Sequence, residues 1–116
     1  MAQKANLVIE QGSKYVQFIQ VINADGSVKD LTGYSARMEV RPNAASDTVL
    51  LSASTDTGEI SINAPGGIVT ITIGAAATTL LDWNTGVYDI EVYTVDPEEV
   101  LRILEGNIAL SHEVTR

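Results

Sequence analysis

Between Tyr34 and Arg41 the chain alternates without a break. Ala36, Met38 and Val40 are apolar, and Arg37, Glu39 and Arg41 between them are charged. Successive side chains of a strand point to opposite faces, so this pattern predicts a strand with one buried and one wet face. The same period returns in Val69, Ile71 and Ile73, separated by Thr70 and Thr72, and in Tyr88, Ile90 and Val92, separated by Asp89 and Glu91. Further strands are read at Leu7–Ile9, Lys14–Asn23, Val49–Ser52, around Ile60 and Ile62, and from Val100 past Gly106 to Leu110. In Lys14–Asn23 both faces carry apolar residues: Val16, Phe18 and Ile22 on one, Tyr15, Ile19 and Val21 on the other.

Turn chemistry punctuates these runs. Gly26 and Gly33 supply positions free to take positive φ, Pro42 ends a strand by withholding an amide, and Asp96–Glu99 reads as a hairpin tip. Gly106 inside an apolar run suggests a bulge or bend. Only Gly74–Asp82 favours helix, as one short turn near 75–81 anchored by Leu80 and Leu81. Short strands without alternating helices point to an all-β fold, a two-layer antiparallel β-sandwich that is immunoglobulin-like in architecture. A small closed barrel is the alternative. One domain over residues 7–115 is expected, with residues 1–6 as a flexible amino-terminal arm.

Fifteen acidic against seven basic residues give a net charge of −8, which disfavours non-specific binding to nucleic acid. No run approaches the about 18 apolar residues of a membrane helix, and the polar start does not read as a secretory signal. A soluble protein made in the cytoplasm is expected, without membrane partners. The absence of Cys removes disulfide and thiolate chemistry. His112 is the single histidine, and Ser111 beside it faces the other way on a strand, so neither a zinc site nor a His-activated nucleophile is expected. The carboxylates cluster in turns, where Asp bonds its own backbone, and none shows calcium-loop spacing. Gly66-Gly67 lacks the pattern of a phosphate loop. No catalytic residue, metal or cofactor is expected. Trp83 reads as core, as a protein contact, or as a stacking platform for a sugar.

Two stretches carry a resemblance. Asp25-Gly26-Ser27-Val28-Lys29-Asp30-Leu31-Thr32-Gly33-Tyr34 leads into the alternating strand that ends at Arg41. Trp83 is followed by Gly86-Val87-Tyr88-Asp89-Ile90-Glu91-Val92, an acidic hairpin, and Arg102-Ile103-Leu104-Glu105-Gly106-Asn107-Ile108. Together they resemble a family of small immunoglobulin-like β-sandwich proteins and domains of tailed bacteriophages, similar to the amino-terminal domains of upper baseplate and tail-fibre attachment proteins. The resemblance spans about Leu7 to Thr115. It implies a virion structural protein of the tail, neck or baseplate, present in symmetric copies among other virion proteins and without catalytic residues. A capsid decoration protein, or a module that binds carbohydrate or the host surface, is the alternative. Larger members continue into a fibre-binding or coiled-coil region where this chain stops at Arg116, which keeps collar and connector roles open.

Contact residues are expected in three groups. Arg37 and Arg41 share a strand face suited to an acidic tip of a neighbouring copy in a ring, with Asp96, Glu98 and Glu99 forming such a tip. Tyr15, Ile19 and Val21 form the second apolar face of their strand, and Trp83 completes the set. Leu7–Ile9 is expected to pair at a sheet edge, within the chain or on a neighbour.

Overall fold

The computed structural model describes residues 3–95 and 98–115. The larger sheet has the order β1–β9–β8–β4–β5, formed by β1 (Gln3–Lys4), β9 (Glu98–Ser111), β8 (Thr85–Val95), β4 (Ser35–Arg41) and β5 (Leu51–Ser54). Strand β2 (Leu7–Glu10) continues beside β9 beyond β1. The smaller sheet has the order β3–β7–β6, from β3 (Tyr15–Gln20), β7 (Ile68–Ile73) and β6 (Ile60–Asn63). Pairing is antiparallel except for β1 and β2, which run parallel to β9. The result is the expected all-β two-sheet sandwich, immunoglobulin-like in general shape.

The core follows from the alternation. Ala36, Met38 and Val40 on β4 meet Tyr88, Ile90 and Val92 on β8 in register, and all six are buried. From the other sheet Ile19, Val69, Ile71, Ile73 and Ile60 complete the layer between them. Each fully buried aliphatic side chain contributes about 1.5–3 kcal/mol relative to exposure. On β9 the alternation changes phase once. Ile90 pairs with Leu104 but Glu91 pairs with Arg102, so Ile103 has no residue opposite it. This β-bulge lets the adjacent Ile103 and Leu104 both turn inward. It lies three residues before Gly106, where the sequence suggested the irregularity.

Gly106 has another reason to be glycine. It pairs with Tyr88 in regular register, and a Cβ there would sit 2.0 Å from the Ala5 carbonyl oxygen. The chain crosses Gly106 at Ala5 and Asn6, between β1 and β2. Tyr88 Oη donates to that same carbonyl oxygen at 2.7 Å, and Ala5 N–H donates to the Glu105 carbonyl. Residues 3–6, expected within a free arm, therefore lie along β9. Leu7–Ile9 pairs at a sheet edge within its own chain, not on a neighbour, because β9 offers it a free ladder. Leu7 and Ile9 are buried while Val8 faces out. Deleting residues 1–10 is expected to lower stability by at least about 4 kcal/mol, since two core side chains leave together. Urea denaturation of the truncated chain checks this; an unchanged midpoint would place the strand outside the core.

Helix α1 (Ala75–Thr79) falls where expected, and Leu81 packs against the core as expected, but Leu80 does not anchor it. Leu80 is 82% exposed, whereas Thr78 is fully buried. The Thr78 hydroxyl donates to the Ser13 carbonyl at 2.8 Å and accepts from Gly12 N–H at 3.1 Å. A five-residue helix is held here by a polar clasp to the β2–β3 turn, which a reading of apolar residues does not detect.

Candidate interaction surfaces

The Asp25–Tyr34 segment folds as two Asp-anchored turns. Asp25 Oδ1 accepts from Ser27 N–H and its hydroxyl, and Asp30 Oδ1 accepts from Thr32 N–H and its hydroxyl. These bonds, the side-chain one foremost, hold both carboxyls below their usual range. Gly26 and Gly33 take the positive φ that such turns require. Leu31 is buried beneath the turns, while Tyr34 is half-buried and donates to Glu99 Oε1 at 2.5 Å. Glu99 and Glu98 are exposed at the start of β9; Asp96 lies outside the described residues.

The outer face of the larger sheet is a lattice of charges. Arg37, Glu91 and Arg102 lie opposite one another across β4, β8 and β9, and the next row is Glu39, Asp89, Glu105 and Lys4. Arg37 Nε meets Glu91 at 2.9 Å, and its guanidinium covers the Tyr93 ring at 4.4 Å. Arg41 bonds Glu39 at 2.8 Å and the Ser46 carbonyl at 2.7 Å. Arg102 lies 3.4 Å from Asp89 and 3.1 Å from Glu105. The four bases Lys4, Arg37, Arg41 and Arg102 thus alternate with the four acids Glu39, Asp89, Glu91 and Glu105 at the centre of this face, with Glu10 and Glu98 at its margins. Both arginines expected to reach a neighbour's acidic tip already have partners within the chain.

Asp89 sits in the middle of three carboxylates in a row. Partial burial, then Glu91, Glu39 and Glu105, push its pKa up against the pull of Arg102. A raised folded-state pKa means that the native state binds the proton more tightly than the unfolded chain. Asp89 therefore subtracts stability at neutral pH, and the penalty fades as the pH falls through its folded pKa toward the ordinary 3.8. Asp89→Asn is expected to raise the melting temperature at pH 7, with the gain shrinking toward pH 3.8. Thermal melts across that range check it, and a gain that grows on acidification would contradict the assignment.

The structure corrects the second apolar face. Ile19 and Val21 are buried, and Tyr15 is half-buried against the core. Burial pushes the Tyr15 pKa up to about 12. The exposed face is the opposite one, with Val16 41%, Phe18 67% and Ile22 50% accessible. Two apolar faces on one strand leave the choice to whichever sheet packs beneath, so the sequence alone does not decide it. Trp83 is in the core and 8% exposed, so it offers neither a sugar platform nor a protein contact; its buried Nε1–H has no acceptor among the described residues. His112 is exposed, 2.7 Å from Asn84 Oδ1. Among the described residues no three His, Asp or Glu side chains are placed to hold a metal ion. In comparisons with known proteins, no family model and no curated sequence matches the chain.

Proposed function

We propose that this chain is an assembly domain of a tailed-bacteriophage particle, present in several copies in the tail, neck or baseplate and holding neighbouring virion proteins. The resemblance of Asp25–Arg41 and Trp83–Ile108 supplies the setting. The observation that supports a binding role over a chemical one is how the polar side chains are used. The turn carboxylates Asp25 and Asp30 bond their own loops, and the sheet-face charges pair with one another, while an apolar strip on β3 stays open. A domain so arranged presents surface rather than a reaction centre.

The test is to purify particles from the culture that carries the gene, quantify the chain by mass spectrometry, and label intact particles with antibodies raised against it. Stoichiometric multi-copy presence with labelling at one location on the tail supports the proposal. A chain abundant in the lysate but absent from purified particles overturns it.

A further inference from the structure

We infer that β3 is a self-association edge, and that a second copy of this chain adds to it antiparallel about a two-fold axis at Phe18. Among the described residues β3 bonds only to β7, and no strand lies on its other side. The direction of the free backbone groups is fixed by two bonds. Val21 N–H donates to the Gly67 carbonyl and Thr72 N–H to the Glu59 carbonyl. In this register Tyr15, Gln17 and Ile19 bond β7, so the amides and carbonyls of Val16, Phe18 and Gln20 point to the open side.

Natural sheet edges are guarded by charge, proline, bulges or shortness. The other edges of this fold have such guards: β5 and β6 are four residues long, and the β1–β2 edge is interrupted at Ala5-Asn6 and carries Lys4 and Glu10. From Tyr15 to Ile22 there is no charge and no proline, and the ladder with β7 is regular from Tyr15 to Gln20. Of the outward side chains Val16, Phe18 and Ile22 are apolar and Gln20 is an uncharged amide, and Val28 pairs with Ile22 on the same face.

Charge identifies the occupant as a second copy. Antiparallel pairing centred on Phe18 sets Val16 opposite the other copy's Gln20 and Lys14 opposite its Ile22. Ile22 leads into the turn that carries Asp25, which is exposed and held ionised by that turn, while the returning arm with Lys29 and Asp30 lies on the β7 side, away from the seam. Lys14 is exposed and forms no ion pair among the described residues. The two-fold axis thus brings an unused cation toward the Asp25 turn at both ends of the junction. Two chains of charge −8 meet along a neutral seam with complementary ends. The inference does not rest on the virion reading.

The test is sedimentation velocity of the full chain over a concentration series, with hydrogen exchange read at Val16, Phe18 and Gln20. The expected result is a concentration-dependent dimer in which those amides become protected as it forms. Phe18→Lys places like charges on the axis and is expected to weaken the dimer at least about a hundredfold, with circular dichroism confirming that the variant folds. Lys14→Glu is expected to weaken it less. A folded wild-type monomer at every concentration overturns the inference. So does a dimer that Phe18→Lys leaves intact, or protection of the β3 amides that arises only on adding a different protein.

Discussion

Gly106→Ala is expected to destabilise the domain by about 3–5 kcal/mol, a large share of the roughly 5–15 kcal/mol that holds a domain of this size. The added methyl meets backbone, which has no rotamer to escape into: the Ala5 carbonyl oxygen at 2.0 Å and its carbon at 2.9 Å. Relief requires residues 3–6 to lift from β9. That movement breaks the Tyr88 hydroxyl bond to Ala5 and leaves a buried phenol, its pKa pushed up to about 12 mainly by burial, without its acceptor. It also loosens Leu7 and Ile9. Gly74→Ala is the control, because Gly74 has φ −65° and nothing within 4 Å of a Cβ. It is expected to stay within about 0.5 kcal/mol of wild type. Chemical denaturation of both variants separates the close approach from a general intolerance of glycine replacement. A loss below about 1 kcal/mol at Gly106 would mean that the crossing strand yields easily.

Ile90→Ala is expected to cost about 2–4 kcal/mol. Ile90 is fully buried at the centre of the larger sheet, with Met38 opposite on β4 and Leu104 opposite on β9. Truncation leaves a cavity beside the bulge, where the backbone is already committed to turning two consecutive side chains inward and has little freedom to collapse. Val8→Ala on the exposed side of β2 is expected to change stability by no more than about 0.5 kcal/mol. Equal effects at the two sites would mean that the inner and outer faces have been assigned wrongly.

Both sites show where the sequence was legible. Strands β4, β7 and β8 have one apolar and one polar or Thr-lined face, so their inward residues follow from period alone. The Asp-anchored turns were legible for the same reason, because Asp–x–Ser and Asp–x–Thr satisfy themselves locally. Three features were not. The inward face of β3 depends on a sheet-to-sheet contact when both faces are apolar, which made Ile19 and Val21 resemble a surface and hid Phe18. The bulge at Ile103 is set by registry between distant strands. The Thr78 clasp depends on backbone groups of Gly12 and Ser13, which carry no side-chain signal. For the interaction surface this mattered most: Arg37 and Arg41 were visible in the sequence, but the pairing of Arg37 with Glu91 and of Arg41 with Glu39 and the Ser46 carbonyl was not.

The parallel pairing of β1 and β2 with β9 also bears on how the chain reaches its native state. Asn6 and Asn107 are bonded across a separation of 101 residues, so the first strands of the domain pair with its last. Until β9 has left the ribosome, Leu7 and Ile9 have no ladder to join and remain exposed on the growing chain. Closure of the domain therefore waits for its last strand and is dominated by distant contacts. Such topologies fold on the slow millisecond-to-second scale. During that interval the unguarded edge of β3 is exposed together with Leu7 and Ile9, which concentrates the aggregation hazard of this fold in the time before β9 docks.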